Sequence, residues 1–174
     1  MPETLARSFR YCPRCATPAA KVGRNPLECP QCGFTFYFSP IVGAVAIIGD
    51  DAGRVLLLVR ARNPGQGKYG LPGGFVDAGE SVEKAIRREV KEEVNLQVRS
   101  LEFLGTFPNR YNFRGVELAV TDVAFACTVK SLDPIAFNDG EVHDIKLCRP
   151  GKRELNKMAF DANRRALEAY LKRV

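Results

Sequence analysis

Apolar residues gather first in two strand-sized runs, Ile41–Ile48 and Val55–Val59, separated by the turn-forming GDDAGR at 49–54. Short apolar runs bounded by such residues predict a strand–turn–strand unit. Beyond 62–72 the periodicity changes. Val82, Ile86, Val90 and Val94 recur at helical spacing behind Ser81, a good N-cap, and predict a helix over Ser81–Val94. Strands are predicted over Leu101–Phe107 and Gly115–Val129, with a short one at Ile145–Leu147. A last helix is predicted over about Met158–Lys172, where Ala159, Phe160, Ala166, Leu167, Tyr170 and Leu171 fall on one face among basic residues.

The length of 174 residues suits one well-packed domain with a small appendage. No apolar run reaches the ~18 residues of a membrane span. The opening MPETLARSFRYC lacks an apolar central segment, so the expectation is a soluble, cytoplasmic protein without a secretory leader. A formal charge of +6 favours anionic partners such as nucleotides or nucleic acid. Four thiolates on one zinc ion would lower that balance to about +4. The basic excess therefore changes the picture little.

Cysteines change it more. Residues 12–32 read CPRCATPAAKVGRNPLECPQC, two C-x-x-C pairs formed by Cys12, Cys15, Cys29 and Cys32. Zn²⁺ takes four soft ligands in a tetrahedron, and each tight pair supplies two from one turn. Pro13, Pro30 and Gly33 are turn residues, and the segment with Gly23 and Asn25-Pro26 suits a hairpin joining the pairs. Two disulfides are the alternative, disfavoured in the reducing compartment expected for a chain without a leader. A structural Zn²⁺ would supply most of the folding energy of so small a piece. Cys127 and Cys148 read as buried core thiols. The rings of Phe34, Phe36, Tyr37 and Phe38 are expected to pack between domains.

The stretch GGFVDAGESVEKAIRREVKEEVNL at 73–96 carries the chemistry. At about 100° per residue, with Glu89 at zero, Glu92 falls near about −60° and Glu93 near about +40°. The apolar stripe spans about +20° to +140°, so Glu93 intrudes on the face to be buried and Glu89 sits at its edge. An i,i+4 pair of carboxylates opposes the helix, and partial burial raises the cost unless a cation answers it. Mg²⁺ or Mn²⁺ would do so, with oxygen ligands shared among carboxylates, waters and phosphates. Arg88 lies beside Glu92, one turn before it, and the loop LPGGFVDAGE can bring backbone groups and Glu80 against the same helix. A solvated acidic patch is the bland alternative.

The stretch resembles the box of the Nudix hydrolases, G-x5-E-x7-R-E-U-x-E-E-x-G-U with U aliphatic. Gly74, Glu80, Arg88, Glu89, Val90, Glu92, Glu93 and Leu96 match in register, and Asn95 stands where the family has glycine. Asparagine is the next most tolerated residue in a left-handed helix stop, so the geometry should survive. The resemblance covers about residues 40–174. A zinc ribbon before such a domain is similar to the arrangement of the NADH pyrophosphatases and their ADP-ribose pyrophosphatase relatives. It implies a zinc ribbon over 1–38 and, over 39–174, an α/β/α Nudix sandwich with a mixed sheet.

That resemblance further implies metal-dependent hydrolysis of a nucleoside diphosphate linked to another group. Glu89, Glu93 and the Gly73 carbonyl would be metal ligands, and Glu92 a ligand directly or through water, or a base. Arg88 and Glu80 would orient the carboxylates. Glu141 in NDGEVHD would be a further ligand or the general base, with Asp139 and Asp144 as rivals; His143 reads as an ordinary loop or strand residue. After the box, LGTFPNRYNFRG keeps only Phe107-Pro108 of the marker resembling SQPWPFPxS that NADH pyrophosphatases carry. Phe107, Arg110 and Tyr111 can stack a base or pair with a phosphate, or form a strand edge and a turn. NAD(H), ADP-ribose, dinucleoside polyphosphates and capped RNA stay open as substrates. So do a homodimer and a nucleic-acid-binding role for the ribbon.

Overall fold

The computed structural model describes residues 3–137 and 140–174. The chain forms two compact units, Met1–Ile41 with Arg110–Val120, and Val42–Asn109 with Thr121–Val174.

In the first unit, strand β1 (Glu3–Thr4) runs parallel to Val116 and Glu117, and a single helical turn, α1 (Leu5–Ser8), follows it. Each C-x-x-C pair closes its own turn. Cys12 N–H donates to the Thr17 carbonyl at 2.8 Å and Ala16 N–H to that of Cys12 at 2.9 Å. In the second turn Cys29 N–H donates to Phe34 at 2.9 Å, and Gly33, at φ 72°, donates back to Cys29 at 3.0 Å. Strands β2 (Leu27–Glu28) and β3 (Thr35–Phe36) pair antiparallel around that second turn. The expected hairpin thus lies around the second cysteine pair and not between the two pairs, because backbone donors are satisfied within each turn. Phe9 stacks on Phe36 with centroids 5.9 Å apart, Phe34 on Phe36 at 6.4 Å, and Phe38 meets Phe9 edge-on at 5.1 Å. These rings, expected between domains, find partners in one another within the unit, and Tyr37 is exposed.

The second unit contains β4 (Ile41–Ile48), β5 (Val55–Arg60), β6 (Tyr69–Gly70), β7 (Gly73–Phe75), α2 (Val82–Val94), β8 (Val98–Phe113), β9 (Val116–Val129), β10 (Val142–Cys148), α3 (Lys152–Asn156) and α4 (Asp161–Leu171). Strands β8 and β9, and β4 at Ile41, cross the division between units. In one mixed sheet β4 lies between β9 and β7, and β8 pairs with β9; a second sheet has the order β10–β5–β6. Strand β4 is buried on both faces. Ala44, Ala46 and Ile48 enter one core with Ala85, Ile86, Val90 and Val94 of α2. Val45 and Ile47 enter another with Ala166 and Leu167 of α4. Period-two alternation across a sheet covered on both sides explains why β4 and β5 read as unbroken apolar runs. The α/β fold is as expected. Several strands run longer than their apolar pattern, notably β8 and β10, since pairing continues where burial does not. Cys127 is buried as expected; Cys148 is half-buried, which corrects its reading as a core thiol. Among the described residues, no helix is long and apolar enough to cross a membrane.

Candidate functional site

Helix α2 positions the carboxylates. Ser81 Oγ accepts from Lys84 N–H at 3.3 Å and caps its start. At its other end Asn95 adopts φ 57°, ψ 23°, donating its N–H to Lys91, while Leu96 N–H reaches back to the Val90 carbonyl at 3.4 Å. This is the left-handed stop expected of the glycine position, with asparagine in it.

The preceding loop supplies space. Gly73 sits at φ 146°, and a Cβ there would come within 2.0 Å of the Ala44 carbonyl oxygen. Its N–H donates to Glu93 Oε2 at 2.8 Å. A Cβ on Gly74 would lie 2.3 Å from Glu89 Oε1, so that glycine makes room for a carboxylate. The register of β7 against β4 pairs Gly74 with Ala44 and Gly73 with Val45, fixing this loop beside the end of α2.

Arg88 binds the cluster together. Its Nε and Nη2 donate to the two oxygens of Glu80 at 3.1 and 2.9 Å, a bidentate pair. Nη1 donates to Glu89 at 2.7 Å and Glu92 at 3.3 Å, and Nη2 also reaches the Phe75 carbonyl at 3.1 Å. The guanidinium fork matches such a set where an ammonium would not. Hydrogen bonding from Arg88 holds the Glu80 carboxyl below its usual range. Glu89, only 12% exposed, titrates high: burial outweighs the help of Arg88, and Glu92 and Glu141 add like charge. Glu93 is pushed up to about 8, first by burial and then by Glu89 and Glu141, against its bond from Gly73. Burial thus works against the charged form of both groups. A divalent cation would reverse that balance, so the donor set fits Mg²⁺ or Mn²⁺.

Glu141 stands across from this cluster at the start of β10, half-exposed and ion-paired with Arg62. Its backbone carbonyl accepts from Ala61 N–H at 2.9 Å, tying it to the end of β5. Of its rivals, Asp144 turns one oxygen to its neighbour Ile145 N–H at 2.8 Å, and Asp139 lies outside the described residues. His143 falls at an irregularity between Val142 and Asp144, exposed in the strand. Phe107 packs against the second core, whereas Arg110, paired with Glu117 at 3.4 Å, and the half-buried Tyr111 belong to the first unit. The structure describes no joint site for these three. Arg62 escaped the sequence reading. It lies 79 positions from Glu141 and only strand pairing brings them together.

The cysteines form a separate cluster. Sulfurs of Cys12 and Cys32 are 3.8 Å apart, those of Cys15 and Cys29 3.6 Å, and all four lie within 4.8 Å of one another. A zinc tetrahedron with Zn–S of about 2.3 Å has edges of about 3.8 Å, whereas a disulfide needs about 2.05 Å. Cys15 is lowered to about 6 by hydrogen bonding with Thr17. Cys32, despite a favourable backbone bond from Phe34, is pushed up to about 12 by desolvation and the other sulfurs. Thiols crowded this closely cannot all ionise without a cation. Among the described residues no three carboxylates come as close together; Arg88 spaces the glutamates.

The family profile for the NUDIX domain matches residues 39–170. A Pseudomonas aeruginosa protein described as "NAD-capped RNA hydrolase NudC" is 39% identical over 104 residues, covering 58% of this chain and 36% of its own length. A Methanocaldococcus jannaschii "ADP-ribose pyrophosphatase" is 42% identical over 74 residues, 42% of this chain and 43% of its own. The chain thus spans well under half the length of these curated relatives. The crystal structure of a NUDIX hydrolase from Nitrosomonas europaea superposes with a TM-score of 0.72 at 24% identity, over 94% of this chain and 91% of that one, a likeness of fold.

Proposed function

The chain belongs to the NUDIX domain family, and on that premise we propose that it hydrolyses a pyrophosphate bond in a nucleoside diphosphate linked to another group, NAD(H), ADP-ribose or similar. The observation that carries this reading is the pair of desolvated carboxylates set against Gly73-Gly74, Glu89 held by Arg88 and Glu93 by the Gly73 N–H. In this reading Glu89 and Glu93 hold a Mg²⁺ or Mn²⁺ ion with the Gly73 carbonyl, and Glu92 assists directly, through water, or as a base. When bound, such an ion neutralises phosphate charge and lowers the pKa of a water. Glu80 and Arg88 keep Glu89 aimed. Glu141 is the candidate to take the proton of the attacking water or to add a ligand. Cys12, Cys15, Cys29 and Cys32 hold a structural Zn²⁺.

The names of the two relatives put NAD-capped RNA and ADP-ribose on the substrate panel beside NADH and dinucleoside polyphosphates. With Mg²⁺ and Mn²⁺ in turn, release of AMP or phosphate from at least one is expected; release from none would refute the assignment. A second reading, nucleic-acid binding by the ribbon, is favoured by Tyr11 and Tyr37, 61% and 66% exposed in a unit that also exposes Arg10, Arg14 and Lys21. Absence of RNA or DNA binding at low salt would dispose of it.

A further inference from the structure

Two arginines close the β5 side of the carboxylate cluster, and they differ in freedom. Arg60 is tied down: its Nε donates to the Pro64 carbonyl at 2.8 Å, and its guanidinium lies 5.0 Å over the Phe160 ring. Arg62 is 60% exposed, and its charge meets that of Glu141, itself 50% exposed. Among the described residues it has no second carboxylate partner. Arg62 lies two positions beyond Arg60, in the bend that follows the end of β5. The backbone beneath the pair is fixed, because Ala61 donates to the Glu141 carbonyl and Arg60 pairs with Val142. Only the side chains can exchange partners.

We propose that Arg62 exchanges partners during substrate binding: in the free protein it holds Glu141 aside, and it releases that carboxylate to grip a phosphate oxygen of the nucleoside diphosphate. This rests on the pyrophosphohydrolase reading and adds a substrate-binding residue to it. The chemistry favours exchange. An exposed ion pair is weak, and a guanidinium fork fits phosphate as well as carboxylate. Among the described residues Glu141 has Arg62 as its cationic partner, and without a metal ion in the cluster it stays there. A phosphate arriving with a divalent cation reverses both preferences, freeing Glu141 for the cluster.

The test begins without substrate. Mn²⁺ affinity of the full chain is measured by the EPR signal of the free ion for wild type, Arg62→Gln, Glu141→Gln and the double variant. Removing Arg62 should free Glu141 and tighten Mn²⁺ by about 2–5-fold, the worth of an exposed ion pair. In the Glu141→Gln background the same change should have no effect, which separates release of Glu141 from simple loss of a nearby positive charge. Kinetics on ADP-ribose, or whichever panel substrate turns over, should show a KM raised about tenfold or more in Arg62→Gln and partly restored in Arg62→Lys, as expected for a lost charge-assisted bond. Unchanged or weakened Mn²⁺ binding in Arg62→Gln, or an equal gain with and without Glu141, would overturn the proposal. So would an unchanged KM. Failure of the wild type to hydrolyse anything would instead sink the proposed activity, and the Mn²⁺ cycle would still decide whether Arg62 restrains Glu141.

Discussion

Glu93→Gln should make the protein more stable and destroy its activity, and both effects follow from one buried group. Glu93 titrates near 8 in the folded chain against 4.5 for an ordinary glutamate. Its folded pKa is raised, so no penalty exists below about pH 4.5, and stability is lost as pH rises from there through 8. At pH 7 the shortfall is about 2.5 pH units, or about 3 kcal/mol at about 1.36 kcal/mol per unit. Glutamine carries no charge to desolvate and can still accept the Gly73 N–H bond now made at 2.8 Å. In magnesium-free buffer at pH 7 the variant should melt about 6–12 °C above wild type, at about 2–4 °C per kcal/mol for a chain of this size. Near pH 4.5 the two should converge. Saturating Mg²⁺ should raise the wild-type melting temperature and close the gap, because a ligand of the folded state alone stabilises it. Metal-dependent turnover should fall by several orders of magnitude in the variant. Calorimetry in magnesium-free and magnesium-loaded buffer, beside an AMP-release assay, reads all of this. A variant no more stable than wild type at pH 7 to 8 without Mg²⁺ would refute the desolvation argument. Wild-type turnover would refute the site.

Gly74→Ala places a methyl 2.3 Å from Glu89 Oε1, so Mn²⁺ affinity and turnover should each fall at least about tenfold with the fold retained by circular dichroism. Asn95→Gly should hold or raise thermal stability by up to about 1 kcal/mol, and Asn95→Val should lose about 1–2 kcal/mol, because φ 57° suits glycine best, is tolerated by asparagine and is resisted by a β-branched side chain. Asp122, buried with a hydrogen bond from Asn109 at 2.8 Å, is pushed up to about 6 by burial. Its stabilising contribution is therefore lost as pH rises from about 4 through 6, and Asp122→Asn should melt higher than wild type at pH 7, by about 2 kcal/mol; a lower melting point would contradict this. Chelating zinc, or Cys29→Ser, should unfold the first unit, read as lost hydrogen-exchange protection over 9–38.

What the sequence made legible at this site is a conflict. A wheel of α2 puts Glu93 inside its own apolar stripe, and in the structure burial pushes that carboxyl up to about 8. The same arithmetic placed Arg88 beside Glu92, where Nη1 reaches it at 3.3 Å. Both are properties of one helix, so local periodicity was enough. Strand β7 was not legible, because Gly-Gly-Phe has no strand propensity and is extended only through its register with Ala44 and Val45. Helix α3 has five residues, too few for a periodicity to emerge. Which group fills the space that Gly74 leaves was not legible either: it is Glu89, fifteen residues later, and only the folded chain shows that. Arg62 is the extreme case. Its partner lies just before β10, which only the pairing of β5 with β10 brings near, and no spacing in the sequence joins them. The boundary is therefore physical. Features set within one helix or one cysteine turn can be read from spacing, whereas the groups that surround the carboxylates depend on strand register, which no local pattern encodes. That is also why Arg60 and Arg62, at and just beyond the end of β5, and not the box itself, are where substrate choice is most open to experiment.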